Sequence, residues 1–195
     1  MIKNIWDNQD LILALEDGKV AVMPTDTIYG MVCKALSPNA VNHVYEIRSR
    51  APEKPCIILI GDTSELEKFS VNISEKQKSE LARYWSLKSA GEGERGVSIV
   101  LDCLDDKFEY LHRGTKTLAF RLPKIKELRD LLLKTGPLIA PSANIEKFPA
   151  SESIEDARNY FRDKVDLYVD AGPIVSKPSQ IVRLHPDGTV TILRE

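Results

Sequence analysis

The 195-residue chain has no run of eighteen apolar residues, which excludes an ordinary membrane-spanning helix. Its start, Met1 to Asp7, lacks the apolar stretch and small-residue cleavage site of a signal peptide, so a cytoplasmic protein is expected. Cysteine is scarce. Cys33, Cys56 and Cys103 are odd in number and widely spaced, which argues against a disulfide framework and suits a reducing compartment. There is no Cys-x-x-Cys or His-x-x-x-His pair, so no structural zinc site is expected. His43, His112 and His185 are scattered and no Gly-x-Ser-x-Gly elbow accompanies them, which argues against a serine-hydrolase triad. The P-loop pattern Gly-x-x-x-x-Gly-Lys-Ser/Thr is missing. Basic excess is missing too. The formal net charge is −2, so phosphate chemistry would need a local cluster of cations.

One glycine pattern is present, Gly91-x-Gly93-x-x-Gly96, but not in a dinucleotide-binding context. That context needs a strand before and a helix after, so that pyrophosphate meets a helix N-terminus. Here the order is reversed, and Glu92 and Glu94 would repel phosphate. The run Lys88–Gly96 is expected to be a mobile loop.

Composition places the chain among globular proteins, with 43% hydrophobic and 29% charged residues. Its length suits one well-filled core. A first helix is expected from an Asp7 cap through Leu11, Ile12 and Leu15 to Gly18. Val20–Met23 reads as a buried strand stopped by Pro24. Ser37-Pro38 opens a second helix whose apolar face is Val41, Val44, Tyr45 and Ile47. Further strands are expected at 56–60, 97–101, 117–122, 138–140, 167–169, 180–184 and 190–193. The last two are joined by the hairpin signal Pro186-Asp187-Gly188. Helices are expected at 63–70, 74–85 (with a Ser74/Gln77 capping box), 124–135 and 153–162. The uneven alternation predicts one α/β domain over residues 1–195, a twisted mixed sheet flanked by helices. No internal repeat, low-complexity stretch or dividing linker is present.

Three segments could carry chemistry. Pro24-Thr25-Asp26-Thr27-Ile28-Tyr29-Gly30 follows a strand. It is either an ordinary turn or a ligand loop at a strand's carboxyl end. Arg48-Ser49-Arg50-Ala51-Pro52-Glu53-Lys54-Pro55 gathers three cations at a helix end. That is either a solvated complement to the helix dipole or a polyphosphate clamp, and three cations ahead of a buried strand favour the clamp. Ala140-Pro141-Ser142-Ala143-Asn144 offers a hydroxyl and an amide two residues apart, either as a plain turn or as ligand contacts.

Taken together with Phe120-Arg121-Leu122-Pro123, Ser179-Gln180-Ile181-Val182 and Ile192-Leu193-Arg194, these segments resemble the YrdC-like family in kind and order, from about residue 10 to the end. The resemblance implies a twisted α/β sheet with a concave, positively lined cavity. It also implies an L-threonylcarbamoyladenylate synthase, which makes threonylcarbamoyl-AMP and pyrophosphate from threonine, bicarbonate and ATP with Mg²⁺. Partner proteins then use the product to modify an adenosine in tRNA. By position, Arg48, Arg50, Lys54, Ser142, Asn144 and Arg194 would hold ATP, with Arg48 and Arg50 stabilising the reacting phosphate. Thr25, Arg121 and Ser179 would surround threonine. No metal is expected to be bound by the protein's own side chains. Three departures are visible: Arg48 replaces the usual lysine, Ser-Gln replaces Ser-Thr at 179–180, and the family's Trp-Pro-Gly-Pro-Leu-Thr segment is missing after Tyr84-Trp85. The alternatives they leave open are a double-stranded RNA-binding module and a divergent, YciO-like paralogue acting on another carbamoyl-type substrate.

Overall fold

A computed structural model describes residues 4–86 and 96–195. The glycine-rich run expected as a mobile loop lies, apart from Gly96, outside the described residues. Helix α1 (Gln9–Glu16) is capped by Asn8 rather than Asp7. The Asn8 side chain accepts from the Asp10 and Leu11 N–H groups, and Leu11, Ile12 and Leu15 are buried as expected. Strand β1 (Ala21–Pro24) is followed by a strand the sequence reading missed, β2 (Tyr29–Lys34). Then come α2 (Pro38–Arg48), β3 (Ile57–Leu59), a 3₁₀ segment Thr63–Phe69, α3 (Glu75–Tyr84) and β4 (Val97–Asp102). A second 3₁₀ turn (Asp106–Phe108) and the one-turn helix α4 (Glu109–His112) were also not anticipated. The remainder is β5 (Thr117–Arg121), α5 (Lys126–Thr135), β6 (Leu138–Ile139), α6 (Ile154–Phe161), β7 (Leu167–Tyr168), β8 (Gln180–Leu184) and β9 (Val190–Arg194).

The nine described strands form one mixed sheet in the order β7-β1-β2-β6-β3-β5-β4-β8-β9. Pairs β1–β7, β3–β5 and β4–β8 are parallel and the others antiparallel. Both faces are covered. Side chains alternate along a strand, so Val22 and Ile58 enter the core beneath α2 with Val41, Val44, Phe69 and Phe120. Their neighbours Met23 and Leu59 enter the core beneath α1 and α5 with Leu11, Leu15, Leu128 and Leu131. This double burial is why β1 reads as an unbroken apolar run. Phe69 meets Phe120 edge to face at 5.2 Å and Phe108 at 5.5 Å, tying the first 3₁₀ segment to the sheet.

Candidate active site

The chain reverses between β1 and β2 without a glycine. The Thr25 hydroxyl donates to the Ile28 carbonyl at 2.7 Å and accepts from the Thr27 and Ile28 N–H groups. The expected strand-end loop is therefore a side-chain-tied hairpin turn, and Tyr29 and Gly30 already belong to β2. Gly30 allows a close approach: a Cβ there would stand 3.1 Å from Thr25 Cγ2. That approach seats the loop after β6. Met31 N–H donates to Pro141 O, Ala143 N–H donates to Tyr29 O, and Gly30 bridges Ser142.

Helix α2 ends at Ser49 in the left-handed region (φ 49°), which throws the chain into the cationic segment. Arg48 turns inward. It is 2% exposed, and its Nε donates to Asn144 O at 3.0 Å. Its Nη2 reaches Asn144 Oδ1 at 3.0 Å and Ser142 Oγ at 3.3 Å, while Nη1 is buried without a partner among the described residues. Burial above all, with the charge of Arg50, brings its pKa down to about 10. Arg50 donates from Nε to Lys54 O and from Nη2 to Pro55 O. The Tyr45 hydroxyl holds the same Lys54 carbonyl at 2.8 Å. Glu146 closes the segment, accepting from Lys54 Nζ and from the Ala51 N–H. The Lys54 hydrogen bond chiefly, and the Ala51 N–H next, hold this carboxyl down at about 2. Arg48 and Glu146 thus cross-link the cationic segment and the Ser142–Asn144 loop in both directions.

On the far wall, Ser179 Oγ lies 2.8 Å from Ser98 Oγ, both hydroxyls buried. Arg194, at the end of β9, donates from Nε and Nη2 to Ser179 O at 3.1 and 2.7 Å. The β8–β9 hairpin sets this contact by pairing Ile181 with Arg194, with a register shift next to it. Between the walls is a cleft of about 290 Å³. Its lining includes Thr25, Arg50, Arg121, Ser142, Ser179 and Arg194, with no carboxylate among the described lining residues. Arg48, Lys54 and Asn144 are not among the lining residues. Arg48 and Asn144 are buried, whereas the Lys54 side chain is 55% exposed and paired with Glu146. A larger groove of about 710 Å³ lies elsewhere, against Leu66, Leu81 and Trp85. Among the described residues Lys78 is the one cation lining it, so the chemistry singles out the smaller cleft.

The Sua5/YciO/YrdC family model, described as "Telomere recombination", matches residues 13–195. The chain belongs to this family. Among curated members of the Sua5/YciO/YrdC family, it is 29% identical over 161 residues to the threonylcarbamoyl-AMP synthase of Bacillus subtilis, covering 82% of this chain and 44% of that protein. It is 26% identical over 183 residues to a putative threonylcarbamoyl-AMP synthase of Mycobacterium leprae, covering 94% of this chain and 80% of that one. Against Pyrococcus abyssi Sua5 complexed with L-threonine the TM-score is 0.80 at 26% identity, over 97% of this chain and 54% of that one. Escherichia coli YciO shares the fold, with a TM-score of 0.76 at 22% identity over 95% of this chain and 87% of that one. The chain spans 44% of the length of its Bacillus subtilis and Pyrococcus abyssi relatives.

Within this Sua5/YciO/YrdC fold, several residues at or beside the cleft were given no role of their own by the sequence reading, although Asp26, Thr27 and Ile28 lay inside its candidate ligand loop. Thr27, Ile28, Cys56 and Ile57 help to line the cleft, and Asp26, Ser98 and Glu146 stand behind its polar groups. Asp26 could have been flagged as the one acid inside an otherwise neutral turn. Ser98 and Glu146 carry no such signal, because only the folded pairing brings them to Ser179 and Lys54.

Proposed function

We propose that this chain is an L-threonylcarbamoyladenylate synthase, a nucleotidyltransferase. The observation that carries the reading is the meeting of Arg50, Arg121 and Arg194, from three distant segments, in a cleft with no carboxylate among its described lining residues. Such a lining favours a ligand with several negative charges. The names of the relatives, and the threonine bound to Pyrococcus abyssi Sua5, support the choice of substrates.

Threonine's amine and bicarbonate combine with loss of water to give a carbamate. A carbamate oxygen attacks the α-phosphorus of ATP, the bond from that phosphorus to the α,β-bridging oxygen breaks, and pyrophosphate leaves. Nucleophile and target are both anionic, so repulsion is the main obstacle. Arg50 and Arg194 screen the phosphates, Ser142 turns its hydroxyl from Asn144 Oδ1 to a phosphate oxygen, and Arg121 with Thr25 and Ser179 fixes the amino acid. Arg48 and Asn144 act from beneath by holding Ser142, and Lys54 adds positive charge beside Arg50. The described lining residues supply hydroxyls, and Mg²⁺ enters as the cation of the nucleotide. No covalent enzyme intermediate is needed. The product passes to partner proteins that modify tRNA, and the reaction is placed in the cytoplasm. Among the described residues no helix is long and apolar enough to cross a membrane.

The test is pyrophosphate release from ATP and Mg²⁺ with threonine and bicarbonate each present or omitted. Release that requires both is expected. Release indifferent to threonine would refute the substrate and point to a paralogue with another acceptor. Salt-sensitive RNA binding with no ATP turnover would point to a binding module.

A further inference from the structure

Arg121 is 4% exposed and yet lines the cleft. Its Nη2 stands 2.9 Å from Asp26 Oδ1 and 3.3 Å from Thr25 Oγ1, both on the β1–β2 turn. The Asp26 side chain is 4% exposed and is absent from the cleft lining. Arg121 Nε and Asp26 Oδ1 are both buried without a hydrogen-bond partner among the described residues, so the contact between the two side chains is a close ion pair and not an aligned hydrogen bond. The guanidinium is therefore gripped on one edge by an acid behind the wall and left with a buried, uncommitted N–H. Gly96 packs against the pair from the other side. A Cβ there would stand 3.1 Å from Asp26 Oδ2 and 3.5 Å from Arg121 Cδ.

We infer that Asp26 is a positioning residue that fixes the Arg121 fork for the carboxylate of the amino-acid substrate, and that Gly96 is the space-keeper of that pair. This rests on the synthase reading. A guanidinium binds a carboxylate well only when the two planes are aligned, so a side chain with several rotatable bonds needs a second acid to hold its plane. Asp26 does this without reaching the substrate. It also balances the arginine's charge in a site shielded from water, so that binding depends on geometry more than on net attraction.

Two variants separate charge from shape. Asp26→Asn keeps the outline and removes the charge. Gly96→Ala keeps every charge and crowds the pair by a few tenths of an ångström. Threonine-dependent pyrophosphate release would be titrated separately in threonine and in ATP, alongside thermal unfolding. Asp26→Asn is expected to raise the threonine KM about tenfold, because the charge that holds the Arg121 fork is gone while the outline stays. The ATP KM and kcat should stay within about twofold, with Asp26→Ala worse and Gly96→Ala moving the threonine KM the same way by less. An unchanged or lowered threonine KM overturns the inference. So does a loss that raises both KM values together with a fall in Tm, the mark of a merely structural role. Wild-type protein that releases pyrophosphate without needing threonine overturns the synthase reading first, and the inference with it.

Discussion

Replacing Arg48 with methionine tests whether the wall carrying Ser142 is held by a buried cation. Methionine keeps most of the stem's bulk and removes the three hydrogen bonds to Asn144 O, Asn144 Oδ1 and Ser142 Oγ. Hydrogen bonds to a charged group contribute about 1.5–3 kcal/mol each. Against this, burial lowers the guanidinium pKa from 12.5 to about 10, a cost to the charged form of about 3 kcal/mol that the variant is spared. Asn144 Oδ1 keeps its other donor, the Ser142 hydroxyl at 2.6 Å, so the loop is not stripped bare. The net loss is about 2–5 kcal/mol, which for a domain of this size lowers Tm by roughly 5–15 °C. Thermal unfolding followed by circular dichroism reads this directly, with the ATP KM as the companion measurement. Arg48→Lys should recover only part of the loss, because an ammonium cannot span the same acceptors. A Tm within about 1 °C of wild type, with a raised ATP KM, would refute the reasoning and make Arg48 a direct phosphate ligand with no structural role.

Arg50→Ala should lower ATP-dependent turnover by about a hundredfold or more, the scale of losing a charge-stabilising group, and near-wild-type turnover would remove it from the phosphate site. Glu146 has a folded pKa of about 2 against its ordinary 4.5, so its contribution to stability is full above pH 4.5 and is lost as pH falls toward 2. The stability gap between wild type and Glu146→Gln, read from urea midpoints, should narrow through that window; a gap independent of pH would disprove the pairing with Lys54 and Ala51. Gly61→Ala would place a Cβ 2.8 Å from Leu133 Cγ and 2.9 Å from Arg129 O. Overpacking of this kind costs about 1–3 kcal/mol, seen as a lower denaturant midpoint, and an unchanged midpoint would show that α5 yields.

The helices were legible where a cap and an apolar stripe coincided. Ser37-Pro38 opens α2, and Ser74 with Gln77 closes a capping box on α3, as the residues suggest. The closing hairpin followed from its turn residues, since Gly188 takes φ 87° where the turn needs it. Strand β2 was not legible, because its turn is tied by a threonine hydroxyl instead of a glycine and so reads as continuous loop. Helix α4 is a single turn, too short for any periodicity to register. The site was legible as a list of segments but not as an arrangement. Spacing along the chain gave Arg48 and Arg50 equal standing at a helix end. The left-handed Ser49 between them sends one inward to Asn144 and leaves the other on the cleft.

The sheet order has a consequence for how the molecule comes together. Ala21 pairs with Leu167, Ser98 with Ile181, and the cleft walls run from Thr25 to Arg194. No local fragment contains the cleft, so contact order is high and the slow step of folding must precede any ligand affinity. A nucleotide bound there opposes unfolding of the whole domain and not the opening of one loop, by about 2.7 kcal/mol at a hundred times its Kd. Under the proposed synthase reaction ATP is a folding ligand as well as a reactant, and protease resistance of the chain should track nucleotide supply.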